Sequence, residues 1–192
     1  MSTIDHANSR YTRGAIALHW TIALLIIGNV IAGWLSERVS EEMRYTLLVN
    51  HKAVGMIVLA LTVVRIGWRL GHRPSPSVET LKPWEHALSR LVHALFYVLM
   101  LAIPLAGWAM SSIYRPGMPV DMFGLFGVPA LPLGNDREVQ AAFNTAHAIT
   151  AWLLVALLAL HLGAVFKHQF LDRDATLSRM MPWARPLPPR SS

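Results

Sequence analysis

Two histidines, His147 and His161, stand fourteen residues apart in one apolar run, NTAHAITAWLLVALLALHLGAVF (144–166). On an α-helix that interval advances about 21 Å along the axis and brings the side chain back to within about 40° of its first direction. Two imidazoles then face the same way at two depths. Neutral imidazole binds a metal through one ring nitrogen. Such a helix can therefore give one axial ligand to each of two stacked haems, provided other helices supply the opposite ligands at matching depths.

The elements that must supply them are legible in composition. Of 192 residues, 54% are apolar and 15% charged, and the mean hydropathy is +0.40, too apolar for an ordinary soluble domain. A hydrocarbon core of ~30 Å takes ~20 helical residues to cross. Four segments are long enough, near 14–35, 47–70, 91–113 and 144–166. The expectation is one membrane domain over 1–192, an all-α four-helix transmembrane bundle, with a basic tail at 167–192. The first segment is longer than the apolar core of a usual signal peptide, and no small-residue cleavage site follows it, so it is expected as a retained helix. The connection of about thirty residues between the third and fourth segments, with its four prolines, reads as a functional or packed loop.

A net charge of +6 would suggest nucleic acid in a soluble chain, but here the cations are sorted by loop. Arg10 and Arg13 precede the first helix; Arg65, Arg69, Arg73, Lys82 and Arg90 surround the second connection; Lys167, Arg173, Arg179, Arg185 and Arg190 follow the fourth. By the positive-inside rule these regions and both termini face the cytoplasm, and no nucleic-acid partner is expected. The chain has no cysteine, which excludes disulfides, iron–sulfur clusters and thioether-linked haem. A redox cofactor must be held non-covalently.

Depth then sorts the histidines. A strongly polar residue within a span faces the bundle interior and is a functional candidate by default. His19 lies low in the first helix and His161 near the cytoplasmic exit of the fourth, giving an inner pair. His51 and His147 open their helices from the outer side, giving an outer pair. His93 enters the third helix at about the inner depth and could replace either inner member. His168 reads as interfacial, and His6, His72 and His86 as interfacial or solvated. Arg65, about one turn above the cytoplasmic end of the second helix, either meets a haem propionate or snorkels to the interface. Arg44, Lys52, Arg115 and Arg137 are outer cations open to propionates or to an anionic substrate. Gly55, one turn from His51, would leave room for a porphyrin edge; Gly28, Gly33, Gly67, Gly107 and Gly163 read as close helix packing. Pro104 removes a backbone donor and should bend the third helix. No repeat of solenoid length is visible.

The pieces RYTRGAIALHW, NHKAVGMIVLALTVVRIGWR, LVHALFYVLMLAIPLAGW, HAITAW, ALHLGAVFKHQF and LDRDATLSRMMP together resemble the bacterial four-helix branch of the cytochrome b561 family over nearly the whole chain. The resemblance implies a multi-pass inner-membrane electron carrier with two haem b, whose axial ligands fall on His19, His51, His147 and His161, and with ubiquinone as substrate. One member of that family oxidises superoxide at the periplasmic face and passes the electrons to ubiquinone. The KHQF and DRDATLSRM pieces look closer to homologues encoded beside a periplasmic isoprenoid-binding protein. Two functions follow as expectations. One is electron transfer from a periplasmic donor, superoxide among the candidates, to membrane quinone near His93, His168 and Trp20. The other is a non-catalytic relay subunit that docks a separate redox partner on the 112–143 loop.

Overall fold

The structure, a computed structural model, describes residues 11–72, 82–181, 183 and 184; His6, Arg10, Arg73, Arg185 and Arg190 lie outside these. Four long helices dominate: α1 (Arg13–Ser36), α2 (Glu41–Gly71), α3 (Pro83–Tyr114) and α4 (Arg137–Phe166). All four are long and apolar enough to cross a membrane. α2, α3 and α4 begin earlier than the apolar runs at 47, 91 and 144, because polar first turns carry each helix beyond the hydrophobic stretch; α1 is capped at its expected start. Thr12 Oγ1 accepts from Ala15 N at 3.3 Å, and Asp136 accepts from Glu138 N and Val139 N. Glu41 and Glu42 place negative charge in the first turn of α2, where the helix dipole favours it. Pro83 opens α3, and Glu85 reaches back to Lys82 N at 2.9 Å. Pro104 is accommodated within a continuous α3.

The segment expected as a basic tail opens with ordered structure. α4 runs on into a π-helical turn (Lys167–Asp172), closed by left-handed Arg173 at φ 55°, and a short α5 (Thr176–Met180) follows. Trp20 Nε1 donates to Met180 O at 2.8 Å and ties α5 beneath α1. Lys167 Nζ bridges Glu85 of α3, at 2.9 Å, and Asp172, which joins the inner ends of α3 and α4.

The long outer connection forms a small antiparallel ribbon, β1 (Val120–Asp121) with β2 (Gly127–Val128), Val120 opposite Val128. Val120 and Met122 bury themselves with Ala53 of α2, flanked by Met56, Ile57 and Trp108. Trp108 Nε1 donates to Pro129 O at 3.1 Å, and Leu131 N donates to Ser112 Oγ at 3.0 Å. The ribbon is thereby fastened over the outer ends of α2 and α3, two residues from His51.

α1 lies along α2 and α3 along α4; the two hairpins meet where α2 runs beside α3. α4 makes no comparable side-by-side backbone contact with α1 or α2. Leu24, Ile31, Val63 and Leu160 are each more than half exposed, as outward apolar side chains of spanning helices should be where lipid is the solvent.

Candidate functional site

The outer level is built from one atom set used twice. His51 Nδ1 lies 3.0 Å from Asn29 O of α1, and His147 Nδ1 lies 2.9 Å from Ile103 O of α3. A carbonyl oxygen only accepts, so each Nδ1 carries the proton and each Nε2 keeps its lone pair, the tautomer that a metal-binding imidazole needs. Behind each ring sits a glycine, one turn beyond the accepting carbonyl. A Cβ on Gly33 would stand 3.2 Å from His51 Cε1, and one on Gly107 would stand 3.2 Å from His147 Cε1. Each imidazole therefore rests in a notch where a Cβ would press on the ring more tightly than an ordinary contact. The ring centroids are 6.1 Å apart with planes at 72°.

At the inner level His19 of α1 and His161 of α4 have centroids 6.5 Å apart and planes at 63°. His93 of α3 also comes close, its centroid 5.9 Å from that of His161, with Phe96 against the same ring at 5.5 Å. All four expected histidines are thus brought together in two pairs, and the rival is brought to the inner one. His93 donates from Nδ1 to Ser89 O, at 2.6 Å, on its own helix. His19 differs: its Nδ1 faces Arg65 Nη2 at 3.1 Å. Guanidinium can only donate, so in this arrangement that nitrogen must accept.

The remaining sequence candidates separate clearly. Of the three residues expected near a quinone, only His93 lines the cavity at the inner ends of α1 to α3. Trp20 stacks edge-on to His19 at 5.5 Å but gives its Nε1 to Met180. His168 turns into the π-helical turn and meets Asp174 at 2.7 Å and Asp172 at 3.0 Å. His72 stacks on Trp68 at 4.2 Å, and His86 is half-buried in the first turn of α3. Among the outer cations, Arg44 pairs with Glu41 at 3.8 Å and Arg137 reaches Gln140 Oε1 at 3.3 Å. Arg115 lies 5.9 Å from the Tyr114 ring, and Lys52 is half-buried beside His51. Gly55 faces open space apart from Asn29 Nδ2 at 3.9 Å, so a Cβ there would touch little. The glycines that bear on the histidines are Gly33 and Gly107. The sequence carried a signal for them: the tripeptide Ala-Gly-Trp at 32–34 recurs at 106–108.

Residues 10–183 match the family described as prokaryotic cytochrome b561. Cytochrome b561 homolog 2 of Escherichia coli K12 is 31% identical over 175 residues, covering 90% of this chain and 91% of that protein. The probable superoxide oxidase CybB of Yersinia pestis is 29% identical over 178 residues, covering 93% of this chain and 99% of that protein. Cytochrome b562 of Cereibacter sphaeroides is 29% identical over 178 residues, covering 89% and 94%.

Proposed function

Because the chain belongs to the prokaryotic cytochrome b561 family, a family of bacterial membrane redox proteins that bind haem b, we propose that it holds two haem b and carries electrons across the inner membrane to quinone. Both termini lie on the cytoplasmic side in this reading, as the loop charges favour. The axial pairs are His51 with His147 at the outer level and His19 with His161 at the inner level. The carrying observation is the pair of imidazole separations, 6.1 Å and 6.5 Å. A metal–nitrogen bond of ~2 Å on each side of one iron puts ring centroids roughly 6 Å apart.

Neither distance nor tautomer chooses His19 over His93: 5.9 Å fits as well, and His93 holds its Nδ1 proton on Ser89 O, whereas His19 must give up the bond from Arg65 before it takes the same tautomer. Helix packing supports His19. A macrocycle inserted between two ligands needs helices that are not packed side by side; α1 and α4 satisfy this, as do α2 and α4 at the outer level, whereas α3 lies against α4. When bound, haem accepts and releases single electrons. The protein's part is to fix the ligand rings, exclude an open coordination position by supplying two imidazoles, and set the surrounding charge. Arg65, next to His19 and with no carboxylate partner among the described residues, is placed to meet a propionate of the inner haem.

The donor in this reading is periplasmic and reacts at the outer level, where Lys52 and Arg115 supply positive charge. Superoxide suits such a site, because a small anion is drawn to the field of clustered cations. The test is stopped-flow mixing of the purified protein with superoxide, followed by added ubiquinone. Haem reduction within the mixing period and reoxidation by quinone support the oxidase reading; slow or absent reduction by superoxide removes it.

One observation favours a second reading, a relay subunit that is not itself an enzyme. Phe123, Leu125 and Phe126 at the tip of the ribbon are 48%, 82% and 62% exposed, an apolar knob on the side where a periplasmic partner, redox or isoprenoid-binding, would dock. Loss of reduction by such a partner, with superoxide inert, would select it.

A further inference from the structure

The two hairpins α1–α2 and α3–α4 share a pattern of residues at matching spacing. His19, Leu25, Ala32, Gly33 and Trp34 of α1 recur at identical spacing as His93, Leu99, Ala106, Gly107 and Trp108 of α3. His51, Ala60, Leu61 and Gly67 of α2 recur likewise as His147, Ala156, Leu157 and Gly163 of α4. The contacts repeat with the residues. The carbonyl of Asn29 and the notch at Gly33 hold His51 as the carbonyl of Ile103 and the notch at Gly107 hold His147. Correspondence in spacing and in atomic contact pairs α1 with α3 and α2 with α4.

That relation carries the outer pair onto itself, but not the inner pair. His19 maps onto His93, and His161 maps onto Arg65, since each lies fourteen residues beyond its outer histidine. The counterpart of the inner ligand pair is therefore His93 with Arg65. Both line one cavity, walled further by Tyr11, Trp68, Arg69 and Tyr97. Its lining holds two guanidinium groups and no carboxylate. Arg65 and Arg69 each stand 5.8 Å from the Tyr97 ring, and neither forms an ion pair among the described residues. Arg65 is half-buried and Arg69 is exposed at the mouth, so the cavity sets one guanidinium inside and one at its rim on the same aromatic wall, a fork that an oxyanion entering from solvent can share.

We propose that this cavity is an oxyanion site, in which Arg65 and Arg69 clamp a carboxylate or phosphate where the repeat would otherwise place a second inner imidazole pair. The carboxylate source is a propionate of the inner haem, and that arm rests on the di-haem reading above. The phosphate source is the headgroup of an anionic membrane lipid, and that arm does not. In both, the substitution of arginine for histidine at position 65 turns one of two equivalent places from an iron ligand into an anion clamp.

Arg69→Gln tests this in the haem-loaded protein, with the spectrum of the outer haem reporting that the fold is intact. If the clamp holds a propionate, the variant releases its inner haem to excess apomyoglobin about tenfold faster than wild type, the scale of one charged hydrogen bond, while the outer haem is unaffected. If it holds a lipid phosphate, native mass spectrometry from phosphatidylglycerol nanodiscs shows an adduct that the variant lacks, and that is also absent from phosphatidylcholine nanodiscs. Arg69→Lys, which keeps the charge, should recover most of either effect. Haem release within twofold of wild type together with unchanged lipid retention overturns the proposal. A wild-type protein carrying fewer than two haems would instead count against the di-haem reading, and the lipid arm would still be decided.

Discussion

The outer and inner histidine levels use the same side chain in opposite ways. At the outer level each imidazole has its Nδ1 proton fixed by a neighbouring carbonyl, at 3.0 and 2.9 Å, and its plane fixed by a glycine notch. Ring orientation there is set by the protein alone. At the inner level three imidazoles and an arginine converge, and His19 meets a cation where its outer counterparts meet carbonyls. A repeated hairpin thus yields one rigid, symmetric site and one asymmetric site governed by charge. The difference is that of a structural holder and a tunable one.

The strongest way to break this comparison is to remove an outer ligand. His147→Ala should lower the haem-to-protein ratio from two to one and leave the inner haem's spectrum unchanged, measured by pyridine haemochrome against protein concentration. Gly33→Ala and Gly107→Ala come next. Each added Cβ lies at 3.2 Å from an imidazole atom, and overpacking of this kind costs about 1–3 kcal/mol. The outer haem should then dissociate about tenfold faster or more, with the inner haem unaffected; Gly28→Ala, where nothing lies within 4 Å, is the control that should change nothing. Arg65→Gln reverses the comparison by acting on the inner level alone. A cation favours the reduced, less positive iron, so its loss should lower the inner midpoint potential by tens of millivolts, the scale of ~1–2 kcal/mol for a charge roughly 10 Å away. Spectroelectrochemical titration separates the two haems. The smallest effect is expected at Ser112→Ala, which deprives Leu131 N of its acceptor and should cost about 1–2 kcal/mol locally. Hydrogen exchange at Leu131 should speed up while both haems stay in place.

The two levels were legible in the sequence because a fourteen-residue interval is nearly whole turns of a helix, and because successive spans run antiparallel, which sets His51 with His147 and His19 with His161. The starts of α3 and α4 extended past the apolar runs because Glu85 and Asp136 act through local hydrogen bonds that hydropathy does not register. The notches at Gly33 and Gly107 depend on which helix lies behind each histidine, a tertiary fact; as sequence, these glycines read as ordinary packing residues. The hairpin repeat was hidden by unequal connections. Gly33 and His51 are separated by a tight turn, while Gly107 and His147 are separated by the whole ribbon, so no single spacing aligns both helices of each copy. The contact of Arg65 with His19 joins residues 46 apart in sequence, which spacing along either helix could not supply.

The most direct test of the account is haem stoichiometry in three inner-level variants, with the outer haem as internal reference. His19→Ala and His161→Ala should each retain one haem, and His93→Ala should retain two. A His93→Ala protein with one haem, beside a His19→Ala protein with two, would contradict the inner pairing and the packing argument on which it rests.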